Sequence, residues 1–240
     1  MNNKVLSERL KTVAMYLPQN AYFADIGSDH AYLPCYICSV DPTATAIAGE
    51  INEGPFQSAK KHVQALNLEN RVKVVKGDGL EVITNYDVRQ IVIAGMGGGL
   101  IRSILDNGKD KLKNIERVIV QPNVDAHLVR KWFVQHHFEL VAEQILKEDG
   151  HIYEILVADS VDETNVSLDE QKDILFGPYL LHEKNEAFIE KWQLEKINRI
   201  RIIGQMQKAK VVDYEKLEHF KQEVKLIEEV LRDARDDTSE

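Results

Sequence analysis

The sequence predicts an α/β fold: a mostly parallel, doubly wound sheet finished by an antiparallel hairpin, with a helical region after it. Three observations carry this. Short apolar runs alternate with helical patterns between residues 22 and 137. The runs are continuous and rich in β-branched residues, as in strands covered on both faces. Two further runs, "FELVAEQILKED" and "HIYEILVADS", are separated only by a turn at Asp149–Gly150, so they must pair antiparallel.

The elements follow in chain order. Leu6, Leu10, Val13 and Leu17 recur at helical spacing, and Pro18 stops that helix. Strands are expected at 22–26, 44–50, 71–75, 90–95 and 117–121, with helices near 31–39, 53–67, 99–112 and 124–137. Such alternation implies right-handed βαβ units. The polar stretch 160–170 reads as a linker. Beyond it, Phe188, Trp192, Ile197, Ile200, Ile203 and Met206 form one helical pattern. Leu217, Phe220, Val224, Ile227 and Leu231 step 3-4-3-4, a heptad seam. With "AKVVD" (209–213) as the turn between them, two long helices should pack as an antiparallel coiled coil. Two domains are therefore expected, 1–159 and 160–240.

The chain of 240 residues carries a formal net charge of −9, with −2 through Ala158 and −7 from Asp159 onward. That balance argues against indiscriminate nucleic-acid binding but leaves room for a local basic stripe. No apolar run reaches the length of a membrane span. The N-terminal stretch interleaves charges with apolar residues, unlike a signal peptide. With two cysteines, this makes a cytoplasmic, reducing setting the expectation.

The stretch "FADIGSDHAYLP" (23–34) has the form of a strand entering a nucleotide-binding turn. Yet it holds one glycine, Gly27, where a dinucleotide fingerprint needs three. A pyrophosphate on the following helix N-terminus would be repelled by Asp29. S-adenosylmethionine carries an ammonium and a sulfonium and no phosphate, so carboxylates at Asp25 and Asp29 suit it. The bland alternative is that Asp29 caps the next helix. Glu50 ends the second run, placed to accept from ribose hydroxyls. Asp78 and Gly79 in "GDGLEV" follow the third run, where an adenine amino group and ring are met; a plain Asp-Gly turn is the alternative. "IAGMGGG" (93–99) crowds four glycines around Met96, suggesting backbone laid against a bulky ligand. "QPN" follows the fifth run, where the Asn123 amide could meet a base edge. Cys35 and Cys38 form C-x-x-C in an apolar helix with no second pair, so packing is expected and no metal. The eight histidines share no ligand spacing.

"ADIGSDHAYLP", "IAGE", "GDGLEV", "IAGMGG" and "QPN", in this order, resemble the bacterial tRNA adenine-22 N1-methyltransferase family over the whole chain. The resemblance implies a Rossmann-like class I methyltransferase sheet. It implies transfer of a methyl group from S-adenosylmethionine to N1 of an adenine in the tRNA D-arm. It assigns cofactor contacts to Asp25, Gly27, Asp29, Glu50, Asp78, Gly79 and Met96, with Ser28, His30, Ile51 and Gly95 completing the set. Asp29 is the candidate for negative potential at the reacting base. His30 and Tyr32 would orient or stack on that base, and Asn123 would read its amino edge. Lys4, Arg9 and Lys11, with Arg199, Arg201, Lys208 and Lys210, are candidates for a basic stripe facing tRNA phosphates. Two competing readings stand beside this one. A nicotinamide-dependent oxidoreductase needs the phosphate-binding glycines that the first turn lacks. A non-catalytic tRNA-binding scaffold leaves the acidic turn without a purpose.

Overall fold

The structure is a computed structural model describing residues 6–162 and 171–236. The first helix, α1 (Glu8–Met15), starts at Ser7, whose hydroxyl accepts from the Leu10 N–H. Then β1 (Tyr22–Ile26), α2 (Tyr32–Val40), β2 (Thr45–Glu50), α3 (Glu53–Ala65), β3 (Val72–Lys76), β4 (Gln90–Met96), α4 (Gly98–Asn107), β5 (Arg117–Pro122) and α5 (Ala126–Gln135) alternate. A 3-10 turn, Gly79–Ile83, precedes β4. The hairpin strands β6 (Phe138–Glu148) and β7 (His151–Ser160) follow.

These strands form one seven-stranded sheet in the order β3-β2-β1-β4-β5-β7-β6. β1 to β5 pair in parallel, and β7 joins β5 antiparallel. The central strands are covered on both faces: Ile91, Val92 and Ile93, and Val118, Ile119 and Val120, are all fully buried. That is why they read as continuous apolar runs instead of alternating ones. The edge strand β3 differs, exposing Lys73 and Lys76, charges that discourage pairing with another chain. At the hairpin turn Asp149 and Gly150 take φ of 50° and 80°, left-handed values that match the right-handed twist of the flanking strands. Arg130 of α5 is buried between Glu143 on β6 and Glu154 on β7, at 2.6 and 2.5 Å. This charged group locks the helix to the hairpin, and removing Arg130 would leave two buried carboxylates without their cation.

The described residues fall into two compact units. The first runs to Gln144 and resumes at Tyr153; the second takes in Ile145–Ile152 and the chain from 171 onward. The second unit holds α6 (Lys172–Phe176), α7 (Pro178–Glu183), α8 (Glu186–Gln207) and α9 (Tyr214–Asp236). Ile145 and Ile152 of the hairpin tip join Phe176, Phe188, Trp192 and Ile227 in its core, and Asn185 Nδ2 donates to the Ile145 carbonyl. The hairpin tip therefore belongs with the helices, which a boundary at 159/160 does not anticipate. Ion pairs Lys196–Glu228 and Arg199–Glu223 run in opposite senses along α8 and α9, so the two helices are antiparallel. The apolar stripe of α8 is only half used: Phe188 and Trp192 are buried, while Ile197 and Ile200 are 63% and 49% exposed. Most of the expected linker, 163–170, lies outside the described residues. Among the described residues no helix is long and apolar enough to cross a membrane.

Candidate active site

The parallel strands end together on one edge of the sheet, and the turn after β1 forms the centre of the site. Asp25, near the end of β1, is 4% exposed, and Ser28 Oγ donates to its Oδ2 at 2.6 Å. The N–H groups of Gly27 and Ser28 both donate to the Gly49 carbonyl, at 2.9 and 3.1 Å, folding the turn back onto the end of β2. Gly27 has φ +71°, and a Cβ built there would lie 2.3 Å from Met96 Cε. Met96 thus covers the bare face of Gly27, joining the turn after β1 to the end of β4.

Asp29, His30 and Ala31 then take left-handed φ values of 41°, 64° and 56° in succession. This backbone costs a non-glycine residue about 1–2 kcal/mol, and such strain gathers at functional sites. Named contacts hold it. The Asp29 N–H faces the Glu50 carboxylate and favours its charge. His62 Nδ1, on α3, donates to the His30 carbonyl at 2.7 Å. The Ala31 carbonyl accepts from Cys35 N as the first bond of α2. Ala31 is the N-cap residue of α2, with no side-chain cap, so Asp29 does not cap that helix. The Asp29 carboxylate projects into solvent, 82% exposed, 3.6 Å from His30 Nε2. The His30, Tyr32 and His62 rings stand in a row, with centroids 5.4 and 5.1 Å apart.

Glu50 is 6% exposed, and its Oε1 makes no hydrogen bond among the described residues. Burial holds its carboxyl above the ordinary range; the Asp29 charge adds to that, and the Asp29 N–H opposes it. Burial pushes the Asp25 carboxyl up to about 7; the Ser28 hydrogen bond and Arg9 pull against this, while Glu50 and Asp29 add to it. Ile51, 54% exposed, and Asn52, the N-cap of α3, follow Glu50. The Gly77 N–H donates to the Glu50 carbonyl, bringing exposed Asp78 and half-buried Gly79 to the same edge. Gly79 has φ +50° and faces Ile104, 3.2 Å from where its Cβ would be.

At the end of β4 a closed hydrogen-bond ring fixes the glycine loop. Gln121 is fully buried, and its Oε1 accepts from Gly95 N at 3.0 Å and from Arg9 Nη1 at 2.6 Å. Gln121 Nε2 donates to Asn123 Oδ1 at 3.2 Å, and Asn123 Nδ2 donates to the Gly95 carbonyl at 2.8 Å. Asn123 N also donates to the Met96 carbonyl. The Asn123 amide, expected at a base edge, is thus largely engaged in holding this loop. Gly98 has an internal reason as well: its Cβ would lie 2.2 Å from the Asp125 carbonyl oxygen, where α4 and α5 begin side by side. Cys35 and Cys38 are buried, and burial pushes their thiols up to about 12 and about 11, as packing residues should be.

The basic stripe needs correcting. Lys4 lies outside the described residues. Arg9 turns inward to Gln121, with its guanidinium 5.2 Å from the centre of the Tyr153 ring. Lys11 pairs with Glu8 at 2.6 Å, and Arg199 is held by Glu195 and Glu223. Arg201, Lys208 and Lys210 are exposed. Gln121, His62 and the inward Arg9 escaped sequence reasoning. A glutamine at the end of an apolar strand run is the one trace of Gln121; His62 and the direction of Arg9 left none.

The donor set fits a cationic adenosine ligand. Asp25, Asp29 and Glu50 bring three carboxylates to one site: the Glu50 and Asp29 charges both raise the Asp25 carboxyl, and the Asp29 charge raises that of Glu50. A buried carboxylate oxygen without a partner calls for a hydrogen-bond donor such as a ribose hydroxyl.

Comparison with known proteins places this arrangement. Residues 23–229 match the TrmK family, described as tRNA (adenine(22)-N(1))-methyltransferase. The tRNA (adenine(22)-N(1))-methyltransferase of Bacillus subtilis strain 168 is 45% identical, over 96% of this chain and 99% of its own. The crystal structure of the B. subtilis M1A22 tRNA methyltransferase TrmK superposes with a TM-score of 0.86 at 44% identity, covering 95% of this chain and 99% of that one. Streptococcus pneumoniae Sp1610, a putative tRNA (m1A22) methyltransferase in complex with S-adenosyl-L-methionine, gives 0.83 at 38% identity, covering 95% and 100%. Matched by the family model over residues 23–229 and 45% identical to the B. subtilis enzyme along nearly its full length, the chain belongs to the TrmK family of tRNA (adenine(22)-N(1))-methyltransferases.

Proposed function

We propose that this chain transfers the methyl group of S-adenosylmethionine to N1 of adenine 22 in the D-arm of tRNA. The observation that carries the reading is the Asp25–Asp29–Glu50 cluster with the unpartnered Glu50 oxygen. It offers negative potential and a ribose acceptor where a dinucleotide cofactor would bring phosphates. Bound S-adenosylmethionine supplies an electrophilic methyl group on a sulfonium. Glu50 would hold the ribose, Asp78 and Gly79 the adenine of the donor, and Asp25, Gly27 and Ser28 its amino-acid end, with Ile51, Gly95 and Met96 lining the remainder. Adenine N1 carries an in-plane lone pair, so no side chain has to remove a proton before attack. The residues' work is to align the base and to favour the positive charge it acquires. Asp29 supplies that potential, and His30 and Tyr32 offer ring surfaces to the base. The reading places the chain in the cytoplasm, with its tRNA.

The helical unit is read as the tRNA-contacting part. In the C-terminal half of α8, Leu194, Ile197, Asn198, Arg201, Gly204 and Gln205 share one face without a carboxylate, and Lys208 follows at the C-cap; Glu186 and Glu190 lie on that face only in the first turns. In an acidic chain this face can meet phosphates without repulsion. Calorimetric titration with S-adenosylhomocysteine and, separately, NADH tests the cofactor, and only the former is expected to bind. Methylation of tRNA carrying A22 or G22 tests the target. Transfer to the G22 form at an equal rate overturns the assignment.

A further inference from the structure

We propose that Arg9 is a positioning residue of the methyl-transfer site: acting through the Gln121 amide it fixes the Gly95–Met96 loop, and it does not face tRNA phosphates. The inference rests on the function proposed above and adds a residue from α1 to that site.

Donor and acceptor accounting leads to it. Gln121 is fully buried at the end of a central strand. Its amide has two orientations, and only one satisfies the ring. With Oε1 toward Gly95 N, Nε2 is left to donate to Asn123 Oδ1, and Asn123 Nδ2 then donates to the Gly95 carbonyl. Flipped, the amide would set N–H against N–H at Gly95 and oxygen against oxygen at Asn123. Arg9 Nη1, a pure donor 2.6 Å from Oε1, selects the working orientation. The loop so fixed departs from regular strand geometry. The pairing of β4 with β5 shifts register between Ala94 and Met96, Gly95 has φ +79°, and Met96 reaches across to cover Gly27. A loop shaped this way holds its form only while its peptide groups are held from outside. Arg9 is itself located by the Tyr153 ring.

The guanidinium also faces Asp25, together with Ser28 from the same turn, Glu50 from β2 and Asp29; among these charged groups it is the cation that favours ionised Asp25. A positioning role therefore has a readout that simple structural support lacks. Arg9→Met removes donor and charge, while Arg9→Lys keeps the charge.

The experiment measures single-turnover methylation, the salt dependence of tRNA affinity, and S-adenosylhomocysteine affinity from pH 6 to 8, for both variants and the unaltered protein. Arg9→Met is expected to slow transfer by about tenfold to a hundredfold, as loss of alignment does. Its weakening of S-adenosylhomocysteine binding at low pH should begin at a higher pH, with the salt slope unchanged. Arg9→Lys should restore the position of that limb and part of the rate. The inference is overturned by a shallower salt slope in Arg9→Met with transfer rate and pH limb intact, which would mark a phosphate contact. Failure of Arg9→Lys to restore the limb overturns it too, and remains measurable if Arg9→Met does not fold. Absence of S-adenosylhomocysteine binding by the unaltered protein would instead count against the proposed function.

Discussion

Ser28 Oγ donates a 2.6 Å hydrogen bond to Asp25 Oδ2 at a position where burial has driven the Asp25 carboxyl up to about 7. The two effects oppose each other, and burial wins. Asp25 in the ligand-free protein is therefore split between its neutral and ionised forms near neutral pH. A cationic ligand prefers the ionised form. Affinity for S-adenosylhomocysteine, which keeps the ammonium, is expected to rise about tenfold from pH 6 to pH 8. Calorimetry across that range checks it; a flat profile would separate Asp25 from the ligand.

The same burial has a stability consequence of opposite sense. The folded pKa lies above the ordinary value of 3.8. Between about 4 and 7 the folded state holds more protons than the unfolded one, so this group's contribution falls as pH rises through that window. At pH 8 the ionised carboxylate is a burden. Asp25→Asn should thus unfold about 2–4 °C higher than the unaltered protein at pH 8, a gain of about 1 kcal/mol. The gain should shrink toward pH 5, and methyl-donor binding should be lost throughout. Thermal unfolding of the ligand-free proteins at both pH values decides this.

Glu50 is set up to accept, with one buried oxygen unused. Glu50→Ala is expected to weaken S-adenosylhomocysteine binding by roughly tenfold to a hundredfold, the usual worth of a charged hydrogen bond. The unfolding midpoint should hold or rise, because a partly unsatisfied buried acid is removed. Undiminished affinity in a folded variant would refute the ribose assignment.

Gly27 and Gly98 separate ligand geometry from packing. At Gly27 an added methyl meets the flexible end of Met96, and the left-handed φ adds strain; at Gly98 it meets backbone, the Asp125 carbonyl. Gly27→Ala should cost about 1–2 kcal/mol of stability while displacing Met96 and impairing donor binding. Gly98→Ala should destabilise the fold more, since two helix starts must separate, and should affect binding only through that loss. Denaturant unfolding paired with ligand titration tells the two patterns apart.

The parallel strands were legible because burial on both faces leaves an unbroken apolar record, as at Ile91–Ile93 and Val118–Val120. The hairpin was legible from Asp149–Gly150, the residue pair its left-handed turn requires. The acidity of the β1 turn was legible because charge is written in residue identity. What stayed hidden depends on direction. A sequence shows a basic residue at Arg9 but not that it points inward to Gln121. His62 sits in an ordinary helical pattern, and only the fold brings it to the His30 carbonyl. The hairpin tip reads as strand, yet its Ile145 and Ile152 pack with helices that follow it by many residues. Ile197 and Ile200 carry the right period for a seam, but period alone does not say which neighbours exist.

Asp29 puts the reading of the acidic turn to its sharpest test. Its side chain is 82% exposed and caps no helix, while its backbone N–H faces Glu50. Asp29→Asn leaves that backbone N–H in place and removes only the charge. A carboxylate exposed to this degree is screened, so its effect should fall below the hundredfold of an enclosed electrostatic contact. Single-turnover methylation at saturating donor and tRNA is expected to slow about tenfold, equivalent to about 1.4 kcal/mol. If Asp29 serves only to hold the donor, saturation restores the rate, and the defect is confined to donor affinity. If it serves only the shape of the turn, asparagine, which tolerates left-handed backbone as well as aspartate does, leaves both unchanged. A tenfold loss that survives saturation, with tRNA affinity intact, is the result that ties the exposed carboxylate to charge developing on the base.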